Sequence, residues 1–196
     1  MRKLSLLITF LLFACHSSDK KIERQQIGIV YKSDIYEVIK SFTKCNSNSS
    51  IYLTEEDYSY FREGPMNLME TIKVKADSIY TNEDFKFIEK QIASSKIFRL
   101  NADLLNCKQV ISTDTLDKLH SQSENIDDFW RNLRQKFGKD ISLESIGLPL
   151  FSKNKEYVIF SSTTYWGPHS MGSNTTIYKK INNKWERVRS LAGWVT

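Results

Sequence analysis

Cysteine, histidine and proline occur only three times each among 196 residues, and glycine seven times. Three cysteines are too few for a disulfide scaffold, and they lack the paired spacing of a zinc site. So little proline and glycine excludes a collagen-like or low-complexity chain. Neither sign of charge dominates: 28 Lys and Arg stand against 23 Asp and Glu, interspersed along the chain. No basic block interleaved with aromatics appears, so nucleic-acid binding is unsupported. Beyond residue 14 no apolar run is long enough to span a bilayer. Gly-x-Ser-x-Gly, His-Glu-x-x-His and Gly-x-x-x-x-Gly-Lys-Ser/Thr are also missing, and with them the signatures of an activated serine, a zinc-protease helix and a phosphate loop. Nothing that remains implies a cofactor or a metal. These absences lower the expectation of catalysis without excluding it.

What is present starts with a basic head, Arg2 and Lys3. An apolar run from Leu4 to Phe13 follows, broken only by Ser5 and Thr9, and Ala14-Cys15 gives way at once to polar residues. Residues 1–14 have the outline of a secretory signal peptide, too short for a permanent membrane helix. Leu12-Phe13-Ala14-Cys15 resembles the lipobox of bacterial lipoproteins, Leu-x-Ala/Gly-Cys, with Phe13 bulkier than the residue usual at its place. The resemblance implies that Cys15 is the lipid attachment site and that fatty acyl chains of the palmitate type hold the mature protein at the membrane. Each buried methylene contributes about 0.8 kcal/mol, so two or three chains anchor almost permanently. Residues 15–24 then form a tether, and residues 25–196 a single domain in the cell envelope, periplasmic or surface-facing. Loss of Arg2 and Lys3 reduces the formal charge of +5 to about +3.

Cys45 and Cys107 remain. An oxidising envelope permits a disulfide between them, and closing that loop would stabilise the fold by roughly 4 kcal/mol. Two separate buried thiols are the competing reading, because Cys45 continues an apolar helical stripe.

The domain reads as α+β, with a helix-rich N-terminal part packed on a four-stranded antiparallel meander over about residues 144–195. Ile35, Val38, Ile39, Phe42 and Cys45 mark one helix face, with Ser33 or Asp34 as its cap. Ile51–Leu53 reads as a short strand. Ile72, Val74 and Ala76 alternate with charged residues, which predicts a half-buried strand. Thr81-x-x-Asp84 predicts a capped helix start, followed by Phe85, Ile88 and Ile92 on one face. Val110-Ile111 predicts a strand, and Leu116 and Leu119 lie on a polar helix. Asn125 caps a further helix whose apolar face is Phe129, Leu133 and Phe137, widened by Ile126 and Trp130; Gly138 closes it. Thereafter the period changes to two. Strands are predicted around Ile146–Leu150, at Glu156–Tyr165, at Thr175–Ile181 and at Trp185–Ala192, with Asn182-Asn183 as a hairpin turn and Gly167–Asn174 as a polar loop. Trp194 and Val195 are expected to fasten the C-terminus to the core.

This last third resembles a group of uncharacterised envelope lipoproteins. The likeness rests on Phe129-Trp130, Ile146-Gly147, Phe151, the Asn182 to Trp185 turn and Trp194. Where that group often carries a Cys-Gly…Cys-Gly pattern, Trp166-Gly167 and Met171-Gly172 stand here. The resemblance supports the meander and the envelope setting and implies no reaction.

Three functional readings follow. The leading one is a non-catalytic module that binds an envelope protein or other envelope component through the loop carrying Trp166, His169 and Met171. A second is a small-molecule carrier or sensor with a pocket between sheet and helices. A third is a hydrolase using His169 with a carboxylate from Glu55–Asp57.

Overall fold

A computed structural model describes residues 25–43, 50–56, 68–94, 98–105 and 109–196. The α+β class holds, but the sheet is larger and of another kind than the predicted meander. Among the described residues it has seven strands and is mixed, not purely antiparallel. A separate two-stranded hairpin, β1 (Gln26–Ile27) with β2 (Val30–Tyr31), precedes it. The main sheet runs β4 (Val110–Ile111), β3 (Ile51–Thr54), β5 (Ser142–Ile146), β7 (Tyr157–Gly167), β8 (Ser170–Ile181) and β9 (Lys184–Val195), with β6 (Leu150–Phe151) on part of β7. β3 pairs in parallel with both β4 and β5. The remaining pairs are antiparallel. Two short strands from the helix-rich half therefore complete the edge of β5, which a C-terminal meander alone would have left bare.

The long hairpins follow from their turns. Asn182 and Asn183 have φ of +49° and +59°, the left-handed pair that a two-residue hairpin turn requires and asparagine tolerates. The predicted loop 167–174 is nearly all strand: β7 runs to Gly167 and β8 starts at Ser170, so only Pro168 and His169 turn. Cross-strand hydroxyl pairs carry the ladder through this polar stretch, Ser161 with Thr175 at 3.0 Å and Thr163 donating to Ser173 at 3.2 Å.

Helices cover both faces. α1 (Lys32–Phe42) and α4 (Ala102–Leu105) lie on one, where Ile35, Val38, Ile39 and Leu105 pack with Leu53, Ile146, Val158 and Phe160. On the other, α5 (Thr113–Ser121) and α6 (Ile126–Phe137) set Leu116, Phe129, Trp130 and Leu133 against Leu143 and Tyr165. α2 (Leu68–Ala76) and α3 (Asn82–Ser94) set Ile72, Ala76 and Ile88 against Ile159, Ile177 and Leu191. α6 forms as predicted: the Asn125 side chain accepts from Asp128 N–H at 3.0 Å, and Gly138, at φ +117°, donates to the Arg134 carbonyl. The Thr81–Asp84 box is reciprocal, since each residue's side chain accepts from the other's backbone N–H.

Three local expectations are corrected. Residues 72–76 are helical. Ile72 and Ala76 are fully buried while Val74 is 77 % exposed, so the apparent alternation was a four-residue repeat sampled at its midpoint. α1 has no side-chain cap; Asp34 instead takes a hydrogen bond from Lys155 Nζ at 2.6 Å. Trp194 and Val195 are paired in β9, but their side chains are exposed and do not enter the core.

β9 ends the sheet on one side. Its pairing with β8 slips at Thr175/Thr176 and again at Ile177/Tyr178. Lys75 of α2 reaches its Leu191 carbonyl at 2.6 Å, and Arg189 returns a hydrogen bond to the Lys75 carbonyl at 2.6 Å.

Candidate functional site

Residues directly opposite one another in a sheet share a face. The register therefore places Glu144, Thr164, Gly172 and Val195 in one row across β5, β7, β8 and β9. Ile146, Ser162, Asn174 and Gly193 form the next row. Ile146 belongs to the core under α1, so both rows lie on the α1 face. α1 ends at Phe42, whose ring meets Phe160 at 4.8 Å and Tyr178 at 4.2 Å. Past those aromatics the face turns from apolar to polar.

Trp166 reaches this surface through a bulge. Tyr165 pairs with Met171 and Gly167 with Ser170, leaving Trp166 as an extra residue without a cross-strand partner. A bulge bends the strand and re-aims its side chain. The benzenoid edge of the indole lies over Gly172: a Cβ there would sit 3.0 Å from Cη2 and 3.3 Å from Cζ3. Glycine is what lets the ring settle on the sheet, and the side chain still remains 46 % exposed. Gly193 lies beside Asn174 without such crowding, since an added Cβ would make only ordinary contacts, 3.5 Å to the Ser173 carbonyl and 3.8 Å to Asn174 Oδ1. That Oδ1 accepts from Thr176 Oγ1 at 3.0 Å.

Glu144, at the β5 end of its row, is half-buried. Burial pushes its carboxyl above the ordinary carboxylate range, and a hydrogen bond with the Ser162 side chain pulls it partly back. No residue of the two rows carries a positive charge. No family model, curated protein or solved structure matches the chain.

The structure does not bring the predicted loop residues together. Trp166 belongs to the α1 face. Met171, opposite Tyr165, packs into the α6 cluster on the other face. His169 is exposed at the turn. The proposed pairing of His169 with Glu55–Asp57 is not formed by the residues described. Glu55 lies two residues past Leu53, the partner of Glu144, and accepts from Thr113 N–H at 3.0 Å, and Glu56 pairs with Arg99. At about 3.3 Å per residue, the hairpin tip is roughly 20 Å away along the strands. Asp57, Cys15, Cys45 and Cys107 lie outside the described residues. Among the described residues no three His, Cys, Asp or Glu are placed to hold a metal, and no helix is long and apolar enough to cross a membrane.

Glu144, Ser162, Thr164 and Asn174 were not singled out from the sequence. Gly172 and Gly193 lie inside β8 and β9, where a glycine marks a bulge or a close approach, but the residue pattern reads Gly172 as polar loop and Gly193 as past the strand end, which hid that signal.

Proposed function

We propose that this chain is a lipid-anchored envelope protein whose folded domain is a non-catalytic binding module. The lipobox resemblance at Cys15 supports the anchor. The observation that carries the binding role is the indole of Trp166, set on the sheet surface by a bulge and a glycine and left half in solvent. A large aromatic with polar neighbours is the usual centre of a recognition surface. The ring covers Gly172 and still leaves apolar surface in solvent, which a ligand can cover.

Two variants test the two halves separately. Cys15→Ser is expected to lower the mature mass by the acyl groups and to move the protein from the membrane to the soluble fraction. An unchanged mass and partition would remove the anchor. Trp166→Ala, with its far-UV spectrum and melting temperature retained, is expected to lose the envelope component that the wild type captures. Identical capture by the two would remove this face from consideration.

A further inference from the structure

We propose that the polar part of the α1 face binds an uncharged saccharide, with Trp166 against the apolar face of a sugar ring and Glu144, Ser162, Thr164 and Asn174 along its hydroxyl edge. The proposal rests on the reading of this face as the binding surface and names its ligand class.

A pyranose ring has two kinds of surface, a C–H face that avoids water and a rim of hydroxyls that both donate and accept. The site offers the matching pair. The indole supplies a broad apolar body. The Glu144 carboxylate accepts, the Ser162 hydroxyl, its proton given to Glu144, accepts too, the Thr164 hydroxyl does either, and Asn174, whose Oδ1 is taken by Thr176, keeps its amide N–H groups as donors. Strands lie about 4.8 Å apart and the two residues stand one row apart, so the span from Glu144 on β5 to Asn174 on β8 is about 12 Å, room for one or two sugar rings. Gly172 lets the indole lie low against the sheet, and Gly193, opposite Asn174, adds no side chain to the floor.

The same groups argue against other occupants. A phosphorylated ligand or an anionic membrane surface would face Glu144 with no lysine or arginine on either row to offset it. A predominantly apolar partner would leave the carboxyl, amide and hydroxyl groups buried and unpaired.

The test is titration calorimetry of the full chain in detergent, using soluble chito-, cello- and malto-oligosaccharides as probes. At least one series is expected to bind. Trp166→Ala should weaken that binding tenfold or more, and Trp166→Phe should restore most of it. Asn174→Ala and Glu144→Gln should each weaken it severalfold, and Met171→Ala, on the opposite face, should leave it unchanged. Binding of none of the three series by the wild type overturns the proposal. So does equal binding by Trp166→Ala, or preferential binding to phosphatidylglycerol vesicles over sugars. If sugars fail while capture of an envelope component still depends on Trp166, only the ligand class falls. If Trp166→Ala changes neither, the reading of the face falls with it.

Discussion

Gln91 of α3 stands in for a strand. Its Nε2 donates to the Phe151 carbonyl at 2.7 Å, and its Oε1 accepts from the Phe151 N–H at 2.9 Å. β6 is paired with β7 on its other side, so this one amide satisfies an edge that would otherwise be buried bare. Gln91 is 2 % exposed and Phe151 1 %. Gln91→Leu leaves both main-chain groups without a partner. Each such group costs about 1–3 kcal/mol, and the added apolar burial returns about 1–2 kcal/mol. Taking the middle of each range, the expected net loss is about 2.5 kcal/mol. Gln91→Glu refines the test. The carboxylate still accepts from the N–H but faces the Phe151 carbonyl as a second acceptor, whereas the protonated acid can donate to it. The folded state then favours the protonated form, so its carboxyl pKa rises above the unfolded value. The deficit relative to wild type is smallest below the unfolded pKa of about 4.3 and grows as pH rises through the folded one. Urea unfolding followed by far-UV circular dichroism at about pH 4 and pH 7 measures both effects. A loss below about 0.5 kcal/mol for Gln91→Leu, or a Gln91→Glu deficit independent of pH, would refute the reasoning.

Leu133→Ala empties the centre of the α6 cluster, where Leu133 is fully buried, and should cost about 2–5 kcal/mol in the same unfolding assay; a loss under about 1 kcal/mol would mean that α6 closes over the gap. Glu144 has a raised carboxyl pKa in the folded state, so its protonated form is favoured there and stability declines as pH climbs from below the unfolded value to above the folded one. Glu144→Gln should abolish that part of the pH dependence, and parallel stability curves for the two proteins between about pH 4 and pH 7 would contradict it.

Local chemistry was the legible part of this chain. The Asn125 cap, the Thr81–Asp84 box and the Asn182-Asn183 turn depend on residues within a few positions of one another, and each forms as expected. Segment 72–76 was misread because a spacing of four satisfies both periods; only the exposure of Val74 separates them. The parallel pairing of β3 with β4 and β5 depends on contacts between residues more than fifty positions apart, on which local pattern is silent. For the binding surface, Trp166 was legible as an aromatic beside glycine. Its polar company was not, because Glu144, Thr164 and Asn174 meet only through the register of three strands, and register decides which face each residue takes.

The outermost strand has a bearing on how copies of this protein coexist. A straight twelve-residue border of open amides and carbonyls invites a neighbour to zip alongside it, and the invitation strengthens wherever molecules crowd onto a surface. Here the border steps out of line twice, carries Lys184, Glu186, Arg187 and Arg189, and has one carbonyl already claimed by a lysine from α2. An incoming ribbon would fall out of phase within a few residues. This border is therefore a poor template for a second copy.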